Sequence, residues 1–548
     1  MPYFNFTQEI GEPDLVTEEI LGIESEASFF LSTSAAEGLR SSRVADITGE
    51  SSSSESFKSN YAKLPDYLKS CLDYSAIVCR ISYRVEIGKL VRLLLAEGLI
   101  EDRPGDIMED AAENVLKELI DLGMLQEEPK GTEVKVPASY LQLCILKLEK
   151  QDFVSKTANS PVRLGIRDHG RDIYPNVEGL LIQSLFIFSR HRDSSFDSSR
   201  GLSRSYMRNV CGMHFLLVLE LRGVIECLPD ELGDLIHLRY LGLYGSHLDE
   251  LPGTLGNLKR LQTLDIRWCR QLRKLPIQIL HIQQLRHLLM SDSINDCEIR
   301  VPKGIGTLVN LHTLSCIYGG DDIAMELIAL TQLRELGVKR VSDDHASELF
   351  AAIKKMENLT SLSLEAEGNY FRDARFSIFP ELDAFSPPPL LQEFSLRGGL
   401  IEMPVWFASM ENLTRLSLFD SYLSENPTSV LQFLPKLKHL QLCGAYKARH
   451  IGKEFCIAGG FPVLETIRIA SEFLAEWTEI ETGAFPRLRY LFFHCCPNLI
   501  FLPEGLQNIS TLQGLCFFSW NPDLRRRLMG EENYKIKHVP TIRTFEIC

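Results

Sequence analysis

The sequence predicts an α/β fold in which a long, horseshoe-shaped solenoid follows a small helical domain. A leucine pattern recurs at nearly constant spacing over the second part of the chain, and three short amphipathic segments precede it. The first sixty residues are acidic and Ser-rich and lack apolar periodicity. We therefore expect a disordered amino terminus at 1–60, a small helical domain at 61–160, a repeat domain at 161–530 and a carboxyl-terminal cap or tail at 531–548.

The repeat is the dominant signal. In HLRYLGLYGSHLDELPGTLGNLKRLQTLDI, residues 237–266, one pattern of apolar residues at the first, fourth and sixth positions occurs twice. It recurs in thirteen copies between Leu216 and Phe517, and Ile182, Leu185 and Ile187 form a candidate fourteenth. A unit of about 24 residues is the leucine-rich-repeat period, in which stacked units share one core and their short strands line a concave sheet.

Other recurring residues are interpreted as parts of this scaffold. Cys269 and Cys496 stand nine positions into their repeats, where Asn or Cys commonly closes the turn, so we expect structural roles for them. The sequons at Asn358 and Asn412 are expected to mark the turn before a repeat. Leu-Pro pairs are expected to begin the return segments, because proline interrupts a strand; they lie at 228–229, 251–252, 275–276 and 502–503.

Composition excludes several function classes. A net charge of −15 disfavours general binding to nucleic acid or to anionic membranes. No apolar run is long enough to span a bilayer, and the acidic amino terminus has no signal core, so we expect a soluble, cytoplasmic protein. The 14 cysteines include no Cys-x-x-Cys pair, which indicates neither a metal site nor a disulfide framework.

The segment from Leu64 to about Gln126 predicts three short helices, with Gly98 and Gly123 near two of their ends. A strand-like EVKVPA follows, and together these elements suggest a winged helix. Residues 61–126 contain 8 Lys and Arg against 12 Asp and Glu, a net charge of −4. This charge disfavours DNA binding, because an acidic surface repels phosphates.

These residues carry a family resemblance. LPDYLKSCLDYSAI and IGKLVRLLLAEGLIE resemble the winged-helix part of plant coiled-coil NB-LRR disease-resistance proteins, and the similarity continues through LPDELGDLIHLRYLGL and VPKGIGTLVNLHTLS to ENYKIKHVPTI. The resemblance covers about residues 60–548. It implies a role in plant immunity, and in the complete family pattern an ADP- or ATP-controlled switch.

The two phosphate-binding elements of that pattern are not found in this chain. No Gly-x-x-x-x-Gly-Lys-Ser/Thr loop occurs, and the family's Met-His-Asp position aligns with Val136, Pro137 and Ala138, whose side chains offer neither a donor nor a charge. Asp168 and His169 are an alternative, displaced copy, although their surroundings resemble the entry to the repeats. We therefore expect no bound cofactor and no saturable ADP or ATP binding.

The function predicted from the resemblance is recognition of other proteins by a truncated or degenerate resistance-type protein, without enzymatic activity. The partner would be a pathogen effector, a guarded host protein or another resistance protein, and the oligomeric state is left open. Three alternatives stay open: a nucleotide-dependent switch whose phosphate loop lies in a longer chain, a general intracellular scaffold, and an extracellular receptor or inhibitor, which the absent signal peptide disfavours.

The segment from Ser189 to Asn209 has five arginines, many serines and no periodicity. We expect a solvated loop there, open to trypsin from Arg192 to Arg208. A regulatory loop that docks on the acidic winged helix is the alternative.

The partner surface is expected on the concave face, where strand residues alternate outward between the core leucines. The residues predicted to contact a partner are Tyr240, Tyr244, Asp265, Arg267, Phe419, Tyr490, Phe492, His494, Phe518 and Trp520. Exposed aromatics are enriched at the energetic centres of interfaces. Alanine at the positions of Tyr490, Phe492 and His494 is expected to weaken partner capture without large loss of stability, whereas a terminal cap could cover Phe518 and Trp520.

Overall fold

The computed structural model describes residues 59–545, except for gaps at 83, 102–104, 106, 129–130, 139, 142–161, 168–180, 189–201, 203, 224, 226, 291–298, 321, 369–377 and 383–384. No helix in this described part is long and apolar enough to cross a bilayer. The predictions of disorder at 1–60 and of a displaced motif at Asp168 and His169 fall outside the described residues, apart from the last two of the first sixty.

The first described unit is a winged helix. Its elements are α1 (Asp66–Ile81), β1 (Val85–Glu86), α2 (Ile87–Glu97), α3 (Met108–Asp121), β2 (Gln126–Glu127) and β3 (Glu133–Lys135). The three strands form a small antiparallel sheet in the order β1-β3-β2. Gly98 ends α2 in the left-handed conformation, with φ 74°, which glycine adopts at no steric cost. The predicted helices and strand are thus confirmed.

The repeat region forms one parallel sheet of sixteen strands in the described chain, with the strands in chain order. In register, leucines face leucines, as in Leu416 opposite Leu440. The strands are β4 (Val162–Arg167), β5 (Ile182–Phe188), β6 (Val218–Arg222), β7 (Tyr240–Gly242), β8 (Thr263–Asp265), β9 (His287–Leu289), β10 (Thr313–Tyr318), β11 (Glu335–Val341), β12 (Ser361–Ala366), β13 (Glu393–Arg397), β14 (Arg415–Phe419), β15 (His439–Cys443), β17 (Thr466–Ala470), β19 (Tyr490–Cys496), β20 (Gly514–Trp520) and β21 (Thr541–Phe545). A separate parallel pair consists of β16 (His450–Ile451) and β18 (Glu476–Trp477).

The return segments contain short helices that close the core from the other side. Prolines precede several single-turn 3-10 helices, as at Pro229, Pro252 and Pro276, which confirms the interpretation of those Leu-Pro pairs. In the described part of the repeat region, the α-helices are α4 (Arg204–Cys211), α5 (Ile323–Ile328), α6 (Asp343–Ile353), α7 (Thr428–Leu431) and α8 (Pro522–Met529). One continuous apolar core extends from Ile182 to Val539.

The other scaffold assignments are also confirmed. Cys269 and Cys496 are buried, and their thiols donate to the carbonyl oxygens of Leu243 and Ile469 in the preceding repeat, at 3.1 Å and 3.6 Å. Burial raises the pKa of both thiols to about 12, so they are not reactive thiolates at neutral pH. The Asn358 and Asn412 amides donate to the carbonyls of Thr331 and Pro389 one repeat earlier.

All fourteen predicted repeat strands are present, and the sheet continues by one strand at each end. The first position of the repeat pattern before β4 is Pro161, and the sixth position in β21 is Thr544. The apolar pattern used to find the repeats therefore does not match these two strands. The predicted tail at 531–548 therefore contributes a strand, β21, to the sheet.

The loop predicted from Ser189 to Asn209 is wrong at its carboxyl end. Residues from Arg204 onward form α4, whose apolar face buries Met207 and Val210 in the core. Arg208 Nε also donates to Glu231 Oε1 at 2.8 Å. Residues 189–201 lie outside the described chain, so the rest of the loop stays a prediction.

Candidate interaction surface

The concave face of the sheet is built from the strand residues that alternate with the core leucines. In β8, Leu264 points into the core, whereas Thr263 and Asp265 point to the opposite side. Parallel register brings equivalent positions of neighbouring strands together, so that the Arg397 guanidinium lies 4.6 Å from the centre of the Phe419 ring. In a solenoid, this face is a continuous surface to which every strand of the sheet contributes.

The winged helix occupies the amino-terminal part of this face through ion pairs. Arg267 Nη1 lies 2.8 Å from Glu86 Oε2, and Lys89 Nζ lies 2.6 Å from Glu220 Oε1. Both Lys89 and Glu220 are largely withdrawn from water, and removal of one member of a buried pair leaves an uncompensated charge. These contacts hold β1 and α2 against β6 and β8.

Glu97, the last residue of α2, makes a second group of contacts with the first strands. Arg163 Nη2 donates to Glu97 Oε2 at 3.0 Å, and the Ser184 hydroxyl donates to Glu97 Oε1. Arg239, the residue before β7, also contacts this end of the helix: its Nη1 lies 3.5 Å from the carbonyl oxygen of Ala96. The end of α2 is thus positioned by two neighbouring strands, β4 and β5, and by the residue before β7.

Glu109, in the first turn of α3, lies in a cluster of basic side chains. Arg286 Nη2 donates to Glu109 Oε2 at 2.6 Å, His287 Nε2 lies 3.1 Å from Oε1, and His312 Nδ1 lies 3.3 Å from Oε2. Burial alone would raise the pKa of Glu109, but hydrogen bonds from His287 and His312 lower it below its usual range. Burial lowers the pKa of His287 to about 4, so its imidazole is neutral at pH 7.

Further contacts along the sheet are made by α3 and by the wing, the turn between β2 and β3. Asp110 forms an ion pair with Arg334. Gly131, between β2 and β3, lies so close to β15 that a Cβ atom there would be 3.0 Å from His439 Nε2 and 3.4 Å from Arg415 Nη2. The furthest of these contacts is therefore at β15, and the carboxyl-terminal strands lie beyond it.

This arrangement corrects the exposure expected for the amino-terminal partner residues. Tyr240 and Asp265 are fully buried, because α2 packs over them, and Arg267 is bound to Glu86 of the winged helix. Burial alone would raise the pKa of Asp265, but the charge of Arg267 and its hydrogen bonds lower it to about 2. Tyr244 stays half-buried, with the Arg222 guanidinium 4.5 Å from its ring centre.

The carboxyl-terminal aromatics are only partly exposed. Phe419, Tyr490 and Phe518 are half-buried, whereas Phe492 and His494 are 7% and 1% exposed. His494 stacks on Phe518 with ring centres 4.1 Å apart. The exposure expected for Phe492 and His494 is therefore wrong, because neighbouring concave side chains cover one another on an inward-curving sheet. Trp520 lies in β20, and its side chain is outside the described residues.

The sequence alone did not identify the residues through which the winged helix and the repeats contact each other. The available signal is a basic residue directly after the first leucine of several repeats, as in Arg239, Arg286, His312 and Arg334. These residues complement the net charge of −4 on residues 61–126. Arg92, which is 8% exposed in α2, had no such signal, and its charge acts on Tyr240, Asp265 and His287.

The segment after β3 does not fit a nucleotide phosphate. Pro137 has no N–H group, and its carbonyl oxygen accepts from the Leu141 amide at 2.9 Å. Ala138 is exposed and has no polar side-chain atom, and Val136 is buried. These residues offer no side-chain donor to an anion.

Two family models match the chain. The model of a leucine-rich repeat region matches residues 200–539, and the model of the disease resistance protein winged helix domain matches residues 81–140. The chain belongs to the leucine-rich-repeat family and is disease-resistance-like. The first model covers more than half of the chain, and the second covers the winged helix from the end of α1 to the segment after β3.

Relatives of this disease-resistance-like protein occur in Arabidopsis thaliana. One, described as a disease resistance protein, is 30% identical over 518 residues, which are 88% of this chain and 54% of the relative. Disease resistance RPP8-like protein 3 is 26% identical over 518 residues, 89% of this chain and 54% of the relative. A leucine-rich-repeat protein of Leptospira interrogans aligns with a TM-score of 0.44 at 21% identity, covering 70% of this chain and 99% of that chain. The chain spans about half the length of the Arabidopsis proteins.

Proposed function

We propose that this chain is a protein-recognition module of plant innate immunity, which acts in the cytoplasm and has no enzymatic activity. Its partner is a pathogen effector, a guarded host protein or another resistance protein. The proposal is supported by the relatives, which are described as disease resistance proteins, and by the concave face, on which parallel strands in register form a continuous surface.

The observation that carries the proposal is the division of the concave face into two parts. The winged helix is seated on the amino-terminal strands through Glu86, Glu97, Glu109 and Asp110, and the furthest of its contacts described above is at β15. Contacts made mainly by charged groups set orientation and can be exchanged for contacts with water, unlike a large apolar interface. The winged helix is therefore a regulatory neighbour of the recognition surface beyond it.

Regulation is tested by reversing one charge of the domain contact. Glu109→Lys places a cation beside Arg286 and should increase amide hydrogen exchange across α3 and β9, because the domain contact is lost. Asp121→Lys is the matched control, since Asp121 is exposed at the other end of α3. Equal exchange in Glu109→Lys and the wild type would contradict the regulatory role.

Recognition is tested by a steric block on the concave face. Ala470→Trp in β17, on the concave face beyond the contacts of the winged helix, should reduce capture of proteins that the wild-type chain retains from plant extract, because a bulky ring covers the surface there. Ser429→Trp in α7, on the opposite side of the repeat, is the control and should leave capture unchanged. Equal capture by both variants would contradict recognition through the concave face.

A nucleotide-dependent switch is the second candidate, and it is favoured by the greater length of the relatives. The phosphate loop would then belong to residues that this chain does not contain. Titration calorimetry of the purified chain with ADP should show no saturable binding, and micromolar binding lost on mutation near Pro137 would overturn this expectation.

A further inference from the structure

The sheet ends at β21, whose backbone is paired on one side. β21 runs parallel to β20, from Thr541 opposite Gly514 to Phe545 opposite Phe518. No other strand of the described chain pairs with β21. We call its other side the free edge of β21. An edge of this kind presents N–H and C=O groups to which another extended chain can bind.

The other repeats show which backbone groups of β21 face the free edge. At the sixth position of its repeat, the Leu243 N–H donates to the carbonyl oxygen of Asp265 in the following strand, at 2.7 Å. Thr544 holds the sixth position in β21, because it lies opposite Phe517. The N–H of Thr544 therefore points away from β20. The backbone groups of Ile542, two residues earlier, point the same way, because successive residues of a strand alternate in direction.

The side chains of β21 indicate what kind of segment fits the free edge. Ile542 continues the row of core leucines, yet it is 38% exposed, whereas Leu491 and Leu515 in the two preceding strands are 0% exposed. A further strand with an apolar residue beside Ile542 would remove this side chain from water.

The charge at the edge is set by Arg543. This residue follows Ile542 and so belongs to the concave face, and it is exposed. Within the described residues, no carboxylate forms an ion pair with Arg543. An acidic residue of an added strand, placed beside Arg543, would form a charge-assisted hydrogen bond with it.

We propose that the free edge of β21 binds an extended segment of a partner protein as a further parallel strand. The segment has an apolar residue beside Ile542 and, directly after it, an acidic residue beside Arg543. In the ladder of the other repeats, this acidic residue donates its backbone N–H to the carbonyl oxygen of Ile542 and accepts from the N–H of Thr544. The inference goes beyond the proposed function, because the site is the edge of the sheet and not its concave face.

The test uses the full chain and a fluorescent synthetic peptide with Thr-Leu-Glu-Leu-Thr at its centre. Fluorescence anisotropy should show saturable binding. Thr544→Pro should raise the Kd about tenfold or more, because it removes the N–H that faces the edge and no hydrogen bond to β20. Thr544→Val keeps this N–H and is the matched control, with an unchanged Kd. Arg543→Gln should raise the Kd severalfold, because it removes the charge beside Glu.

Methylated peptides test the backbone contact without any change in the protein. Methylation of the Glu backbone nitrogen should abolish binding, because this N–H faces β21 in a parallel pairing. Methylation of the backbone nitrogen of the next Leu should be tolerated, because that N–H faces away. If Thr544→Pro lowers the melting temperature, these two peptides decide alone.

Three results would overturn the proposal: no saturable binding, equal Kd values for the two methylated peptides, or equal binding of a peptide with Lys in place of Glu. A wild-type dimer that Thr544→Pro dissociates would also overturn it and would assign the edge to a second copy of the chain. Ala470→Trp separates this site from the proposed function, since the variant should still bind the peptide while its capture from extract is reduced. Loss of peptide binding in Ala470→Trp would refute the edge site and leave the recognition function standing.

Discussion

At the scale of single residues, the eighth position of the repeat shows how the chain turns at or just after the end of the strand. The backbone there has a positive φ in at least eight repeats, a conformation that glycine adopts without strain. Four of these positions are glycines and four are not: Gly223, Gly245, Gly398, Gly444, Trp268, Arg340, Asp420 and Cys495. The non-glycine residues store strain that the surrounding repeats support.

Gly245→Ala should destabilise the chain by about 1 kcal/mol, because alanine is strained at φ 69° although no atom lies within 4 Å of the new Cβ. Gly253→Ala is the control, since Gly253 lacks a positive φ and its Cβ would make ordinary contacts. Urea unfolding measures both variants. An effect of Gly253→Ala as large as that of Gly245→Ala would refute the conformational explanation.

At the scale of the strand, the neighbouring strands decide whether an aromatic side chain on the concave face is exposed to solvent. Tyr490, Phe492 and His494 occupy successive concave positions of β19, so the period of two correctly places them on one face. Their exposure depends on the neighbouring strands: Phe492 lies under the Arg468 guanidinium, and His494 stacks on Phe518. Such neighbours are more than twenty residues away in sequence and appear in no local pattern.

Phe492→Ala should therefore lower the free energy of unfolding by about 2 kcal/mol or more, because it removes a buried ring from its packing. This revises the expectation that the triple alanine variant keeps its stability. Thermal unfolding of Phe492→Ala should show a lower melting temperature than Ser417→Ala, a half-buried hydroxyl on the same face. Equal melting temperatures would mean that the ring contributes no packing energy.

At the scale of the whole molecule, ion pairs position the winged helix on the repeats. The winged helix carries a net charge of −4 and meets basic residues that stand on or beside the strands, and its buried pairs require both partners to be present. The contact between the winged helix and the repeats therefore depends on pH if one of its buried side chains changes its charge. His287 is that partner: Arg92 of α2, Glu109 of α3 and Arg286, His312 and Thr313 of the repeats surround it.

Acidification should weaken the docked structure. The pKa of folded His287 is about 4, below its ordinary value of about 6.5, so its contribution is present above pH 6.5 and is lost as the pH falls toward 4. By pH 5 the loss is about 2 kcal/mol. Glu109 has a lowered pKa as well, and its contribution is lost in the same direction below its ordinary pKa.

Urea unfolding at pH 7 and pH 5 checks this prediction. His287→Gln keeps a side chain that can donate to Glu109 but does not titrate, so its stability should depend less on pH than that of the wild type. An identical pH dependence in the two proteins would refute the role of His287.

By itself, the sequence determined the solenoid, fourteen of its strands, the winged helix and the structural roles of Cys269 and Cys496. These features follow from the period of the apolar residues and from the spacing of the repeats, which depend only on residues near each other in the sequence. Only the tertiary structure decided that the winged helix covers Tyr240 and Asp265, that Phe492 and His494 are buried, and that β21 is the last strand of the described sheet. Periodicity states which way a side chain points, but what lies opposite it depends on residues as far apart as Glu86 and Arg267, which are 181 positions apart in the chain.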